Sequence, residues 1–103
     1  MKKFVLVYRG AVQPDDGSQH MQDWMAWVHG LGTAMLDPGL PVMASKTVST
    51  TGVHDTESDD PVAGISILQA ADFEAALAMV KPCPHLSIGG TIEVAEAMDM
   101  PMA

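Results

Sequence analysis

The chain has 103 residues, of which 13 are acidic and 5 are basic, and its formal net charge is −8. This length predicts a single domain, residues 1–103, built around one hydrophobic core. Because the excess of acidic side chains repels polyanions, we expect neither nucleic acid nor an anionic membrane surface as a partner.

The first predicted element is a strand over Phe4 to Tyr8, a nearly continuous apolar run that is typical of a central strand. This run is too short for a signal peptide, and no stretch reaches the ~18 consecutive apolar residues of a membrane span. The single cysteine, Cys83, excludes a disulfide within the chain. We therefore expect a cytoplasmic protein.

A loop is predicted at Gln13–Gly17, followed by a helix that Ser18 caps and that runs to about Met35. Apolar residues recur at helical spacings along its predicted core side: Met21, Trp24, Val28, Leu31 and Met35. Trp27 and His20 lie on one margin of this stripe. This pattern predicts an amphipathic helix with an aromatic edge.

The middle of the chain predicts two further strands. Asp37–Pro41 has the composition of a tight connection, and Val42–Thr51 is rich in Thr, Ser and Val, as strands are. The acidic segment Gly52–Pro61 is predicted to be a solvated loop that leads to a third strand over Val62–Gln69.

The last third of the chain predicts a helix and a final strand. Asp72 is a suitable cap for a helix over Phe73–Val80, which Pro82 and Pro84 cannot continue. Gly89-Gly90 then predicts a reversal into the alternating strand Thr91–Glu96.

The predicted order is strand, helix, strand, strand, helix, strand, which indicates an α+β fold with both helices on one face of the sheet. Alternation along the strands places five residues together on the face without helices: Ser66, Leu68, Thr91, Glu93 and Ala95. A face of mixed polarity suits a second subunit or a ligand. We therefore expect a homodimer formed through this face.

Several segments resemble a known family. Cys83-Pro84-His85-Leu86 with Gly89–Val94 resembles the close of a YCII-related domain, and earlier segments resemble the same family in the same order: Trp24–Trp27, Asp37–Pro41, Ser45–Ser49 and Gly64–Leu68. The resemblance spans nearly the whole chain. It implies a ferredoxin-like βαββαβ fold that pairs into a dimeric α/β barrel, related to the branch named for an Asp-Gly-Pro-Phe (DGPF) tetrapeptide, which is absent here.

His85 is a candidate catalytic residue because it lies in an irregular, proline-bracketed turn just before a strand. It could transfer protons near neutral pH, or it could simply fix the turn by a hydrogen bond to the backbone. A zinc site at Cys83 and His85 is disfavoured, since the chain has no second Cys/His pair. We expect no metal and no other cofactor.

Asp37 is the second candidate catalytic residue. In relatives of the resembled family an Asp pairs with a His near the start of the first helix, and His20 is the nearest candidate for that partner. The alternative for Asp37 is a side chain that stabilises its own turn.

Four residues are candidates for ligand binding: Tyr8, Trp27, His20 and Glu93. We expect one crevice lined by Tyr8, Trp27, Asp37 and His85, although Trp27 could instead pack in the core. Glu93 could act as a base if a barrel interior desolvates it, or it could be solvated or paired.

Two functions remain open from the sequence. The first, implied by the resemblance, is a small enzyme that performs acid/base chemistry of the lyase or isomerase type on a small molecule. The second is a non-catalytic module for small-ligand binding or assembly. The two differ in whether the titratable groups converge on one pocket.

Overall fold

The computed structural model describes residues 1–10 and 17–98, which form an antiparallel sheet with two helices and a separate hairpin. The main elements, in chain order, are β1 (Lys2–Gly10), α1 (Gly17–Leu31), β2 (Met35–Pro41), β3 (Lys46–Ser49), β4 (Gly52–Asp55), β5 (Val62–Ala70), α2 (Phe73–Val80) and β6 (Gly90–Glu96). Short 3-10 turns cover Gly32–Ala34 and Pro84–Ile88. The four-stranded sheet has the order β2-β5-β1-β6. This arrangement confirms the predicted α+β class.

β1 lies in the middle of the sheet, between β5 and β6, as its apolar run predicts. Phe4, Leu6 and Tyr8 are buried on one face, against residues of both helices that include Trp27 and Val80. Burial of the Phe4 and Leu6 side chains stabilises the fold by about 1.5–3 kcal/mol each. The alternation of β1 therefore defines the core face of the whole sheet.

The predicted helix over Phe73–Val80 and its cap are confirmed. The Asp72 side chain accepts a hydrogen bond of 2.8 Å from the backbone N–H of Ala75, which otherwise has no partner in the first helical turn. The ring of Phe73 meets the edge of Phe4, with centroids 5.1 Å apart. The cap thus starts α2 where its first side chain reaches β1.

The first helix is shorter than predicted, because it ends at Leu31 and Met35 already belongs to β2. Gly32 has a φ of 56°, a left-handed conformation that stops the helix and that glycine adopts at little cost. The helix begins at Gly17, one residue before the predicted cap. The rest of the predicted loop, residues 13–16, lies outside the described residues.

The predictions for the middle of the chain are wrong in their boundaries. Asp37–Pro41 is part of edge strand β2 and not a connection. Proline is tolerated at an edge, and Gly39 meets the backbone of β5 so closely that a β-carbon would lie 1.6 Å from the Ile65 carbonyl oxygen. The Pro and Gly residues of this segment are typical of turns, but pairing with β5 places them in a bulged strand.

The predicted strand and acidic loop between residues 42 and 61 form a hairpin instead. β3 and β4 pair only with each other, as a two-stranded sheet separate from the main one. Gly52–Asp55, predicted to be loop, is therefore strand. The predicted third strand is confirmed as β5.

The two faces of β5 are the reverse of those predicted. Leu68 lies opposite Phe4 and Ser66 opposite Leu6, so both are fully buried under the helices, whereas Ile65 is 47% exposed. The assignment of β6 is consistent with the register, because Val7 lies opposite Glu93. The helix-free side, called the bare face below, comprises Lys3, Val5, Val7, Arg9, Ile65, Ile67, Gln69, Thr91, Glu93 and Ala95, with Asp37 and Leu40 of β2 opposite Ile67 and Ile65.

Among the described residues, the longest helix has 15 residues, and none is long and apolar enough to cross a membrane.

Candidate functional site

A cluster of four rings lies at the end of the sheet where β1 finishes. The Tyr8 ring packs edge-to-face with the rings of Trp24 and His85, with centroid distances of 5.0 Å and 5.4 Å, and the Trp24 centroid lies 5.2 Å from that of Trp27. Tyr8, Trp27 and His85 are buried and Trp24 is partly buried. The structure thus brings together three of the predicted site residues, Tyr8, Trp27 and His85. Trp24, which the sequence places on the core side of the helix, lies between Tyr8 and Trp27.

His85 is held against the backbone of β1. Pro84 begins the short turn that carries His85. The Nε2 atom of His85 lies 2.9 Å from the carbonyl oxygen of Arg9. Because a carbonyl oxygen can only accept, Nε2 carries the proton in this bond. Only 6% of His85 is exposed, and Gly90 makes room for its ring, since a β-carbon there would lie 2.1 Å from Nε2. These contacts are those of a histidine that fixes its turn.

A buried chain of hydrogen bonds begins at Tyr8. The hydroxyl of Tyr8 donates to Ser66 Oγ at 2.9 Å, and Ser66 donates in turn to the carbonyl oxygen of Pro38 at 2.6 Å. Burial raises the pKa of Tyr8 well above its usual value, although the hydrogen bond with Ser66 opposes the shift. The phenol is therefore neutral and links β1, β5 and β2. Sequence reasoning missed Ser66 because its strand parity was assigned to the other face.

Trp27 is a core residue, and its predicted position on the margin of the helix stripe is wrong. It is the buried residue of α1, whereas Met21 from the predicted core side is 55% exposed. Its indole N–H donates a 2.9 Å bond to the carbonyl oxygen of Met79 in α2. This acceptor satisfies the indole N–H that burial would otherwise leave without a partner, and a helical wheel contains no information on it.

Asp37 stabilises its own turn. One carboxylate oxygen, Oδ1, accepts a 2.8 Å bond from the backbone N–H of Gly39, and the side chain is exposed on edge strand β2. This is the alternative left open by the sequence. Between the described residues, no hydrogen bond joins Asp37 to His85 or to His20, which is partly buried in the first turns of α1.

Glu93 lies on the bare face, on the opposite side of the sheet from the ring cluster. Its carboxylate is 3.3 Å from Nε of Arg9, and the two side chains are 63% and 34% exposed. An ion pair this exposed contributes about 0–1 kcal/mol in a single subunit. Together with Thr91, this pair makes one end of the bare face polar.

Two open grooves flank these residues. The first, of about 750 Å³, runs between α1 and the turn after α2; it is lined by Asp23, Ala26, Trp27, Lys81 and residues 82–84, 86 and 87. The second, of about 470 Å³, reaches the bare face through Arg9 and Thr91, and is also lined by Val42, Met43 and residues 59–63. Neither groove is lined by His85 or Asp37.

Cys83 is buried beside the first groove. Burial raises the pKa of its thiol to about 11, and a hydrogen bond from the His85 backbone acts in the opposite direction. Within residues 1–10 and 17–98 there is no group of three or more His, Cys, Asp or Glu side chains that could hold a metal ion.

No protein-family model matches the chain, and no curated protein matches it either. The resemblance to YCII-related domains therefore stays a prediction. What the chain can do has to be argued from its own surfaces.

Proposed function

We propose that this protein is a homodimeric module that binds a small molecule, and that it has the ferredoxin-like fold of YCII-related domains. The sheet order β2-β5-β1-β6 supports the fold, since it sets the first and third main-sheet strands at the centre with both helices on one side. The hairpin β3–β4 is then an insertion between the second and third strands of that motif.

The observation that carries the proposal is the bare face. Val5 and Val7 of β1 lie opposite Ile67 and Ile65 of β5, so four β-branched side chains form one patch without a helix over it. Ile65 alone is 47% exposed, and Leu40, opposite it on β2, is 76% exposed. An apolar patch at the centre of a sheet gains most when a second sheet covers it.

In a standard interface each partner buries ~800 Å², and the bare face is the surface proposed to be buried in this way. Two copies that meet through their bare faces would form the dimeric barrel.

Binding is favoured over catalysis because the candidate acid/base groups are already committed. His85 gives its Nε2 proton to a backbone carbonyl, Asp37 accepts from its own turn, and Glu93 is paired with Arg9. In contrast, the second groove joins apolar side chains to Arg9, Asp59 and Asp60 at the end of the bare face. Arg9 donates from Nε to Glu93 and from Nη1 to the Asp60 carbonyl, but its guanidinium has five N–H donors in all. A dimer would enclose that groove on another side, where the remaining donors would orient a ligand.

The dimer is tested by a lysine on the bare face. An added lysine makes the net charge of −8 less negative. Dissociation therefore cannot be attributed to greater repulsion between like-charged subunits. Ile65→Lys is expected to yield a folded monomer in sedimentation velocity. Leu77→Lys, at a 42% exposed position of α2, is the matched control and should stay dimeric. A wild-type monomer at micromolar concentration would overturn the proposal.

Ligand binding is tested by comparing native and denaturing mass spectra of protein purified from its own cells. We expect a small molecule to accompany the native dimer and to be lost from Arg9→Gln. Wild-type dimer that carries no small molecule, and whose crystals show no density in the second groove, would count against the binding function while leaving the dimer intact.

Acid/base catalysis is the second candidate, favoured by the contact of His85 with the neutral phenol of Tyr8. It requires that the bound molecule be converted on incubation. It also requires that His85→Gln abolish that conversion without lowering the melting temperature, which a purely structural histidine would not allow.

A further inference from the structure

Among the elements that the structure describes, the hairpin formed by β3 and β4 is the most exposed. All eight of its strand residues are exposed, and its two strands pair in the register Lys46 with Asp55, Thr47 with His54, Val48 with Val53 and Ser49 with Gly52. A two-stranded sheet on its own is only marginally stable in water. This hairpin therefore has much to gain from a surface that covers one of its sides.

The two sides of the hairpin differ in chemistry. Residues directly opposite each other project to the same side, and the side alternates along each strand. One side therefore carries the Val48–Val53 pair and the Lys46–Asp55 ion pair, while the other carries Thr47 and His54. Val48 is 75% exposed and Val53 65% exposed. The valine side is the one that favours burial.

Exposed apolar residues also occupy the chain between the bare face and the hairpin. Ile65 lies opposite Leu40, and Val42 and Met43 follow on the way to the hairpin, with exposures of 45% and 92%. The base of the hairpin is fixed by a 2.9 Å bond from the Val42 N–H to the Ala63 carbonyl oxygen. Exposed apolar side chains thus run from the sheet out along the hairpin.

We infer that the hairpin is a dimerisation arm, which lays its valine side on a second copy of this chain. The inference rests on the proposed homodimer, since the exposed residues Leu40, Val42 and Met43 link the arm to the proposed interface along the chain. Charge supports the same occupant. The eight strand residues contain one Lys and one Asp, which pair with each other, whereas the whole chain carries −8. The arm is therefore a surface with little repulsion toward another acidic copy.

The test combines a matched pair of variants with amide hydrogen exchange. Val53→Lys and His54→Lys add the same charge at adjacent positions, but on opposite sides of the hairpin. We expect Val53→Lys to raise the dimer Kd at least about tenfold and His54→Lys to change it by less than about threefold. In the wild-type dimer the arm amides that are hydrogen-bonded between the two strands should exchange slowly. In the Ile65→Lys monomer they should exchange nearly as fast as in an unstructured peptide.

The outcomes separate the arm from the dimer itself. If the wild type is dimeric but Val53→Lys matches His54→Lys, or if the arm amides exchange fast in the dimer, the arm is overturned and the homodimer stands. If the wild type is monomeric, both proposals fall. If Val53→Lys dissociates the dimer while Ile65→Lys does not, the arm is supported and the bare face is not the interface.

Discussion

The imidazole of His85 occupies the space that a side chain at Gly90 would need. A β-carbon at position 90 would lie 2.1 Å from Nε2 and 2.5 Å from Cδ2 of that ring. Gly90 has no left-handed φ, so what requires glycine there is the neighbouring ring and not the backbone conformation. The turn after α2 and the start of β6 are therefore fitted to each other by one histidine.

Gly90→Ala should push His85 off the Arg9 carbonyl. Because a buried bond is lost and packing is disturbed, we expect a loss of about 1–3 kcal/mol in the free energy of unfolding. Urea denaturation measures this loss. Gly30→Ala is the control, since nothing lies within 4 Å of a β-carbon there and alanine favours a helix. Equal stabilities for the two variants would contradict the fit of His85 to Gly90.

Tyr8 and Ser66 should be energetically coupled. Ser66→Ala leaves the Tyr8 hydroxyl and the Pro38 carbonyl without this partner, so it should cost about 1–3 kcal/mol. Tyr8→Phe in the Ser66→Ala background should cost less than in the wild type. A double-mutant cycle from urea denaturation measures the difference. Purely additive costs would show that the two hydroxyls do not act as a unit.

The Cys83 thiol should make stability fall at alkaline pH. Its pKa is about 11 in the folded chain against 9.0 unfolded, so the unfolded state loses the proton first. The folded state then binds more protons between about pH 9 and 11, and the free energy of unfolding decreases across that window. Thermal unfolding of wild type and Cys83→Ala, measured from pH 7 to 11, isolates the contribution of the thiol to the pH dependence of stability. The alanine variant should show a smaller decrease, and parallel curves would contradict the shift.

Charges at Leu68 and Ile65 should have opposite kinds of effect, although the residues are three apart on one strand. Leu68 is fully buried against Phe4, so Leu68→Asp places an unpaired charge in the core and should leave the chain unfolded. Ile65→Asp changes an exposed position and should keep the far-UV circular dichroism of the folded protein. A folded Leu68→Asp variant would mean that the register of β1 and β5 is not as described.

The sequence by itself determined the elements whose signals are local. The apolar run of β1, the cap at Asp72, the prolines after α2 and the alternation of β6 each depend on residues within one turn or one strand, and all four are found in the structure. Capping, proline geometry and hydrophobic period act over a few residues, and this is why they can be recognised without a fold.

The tertiary structure decided which way each element faces and what the special residues do. Alternation along β5 defines two faces, but only its register with Phe4 and Leu6 turns Ser66 and Leu68 inward. Likewise, Met79 of another helix accepts the N–H of the buried Trp27, and the Ile65 carbonyl lies where a side chain at position 39 would be. These partners are distant in sequence, and their contacts contribute to stability only once the chain has folded.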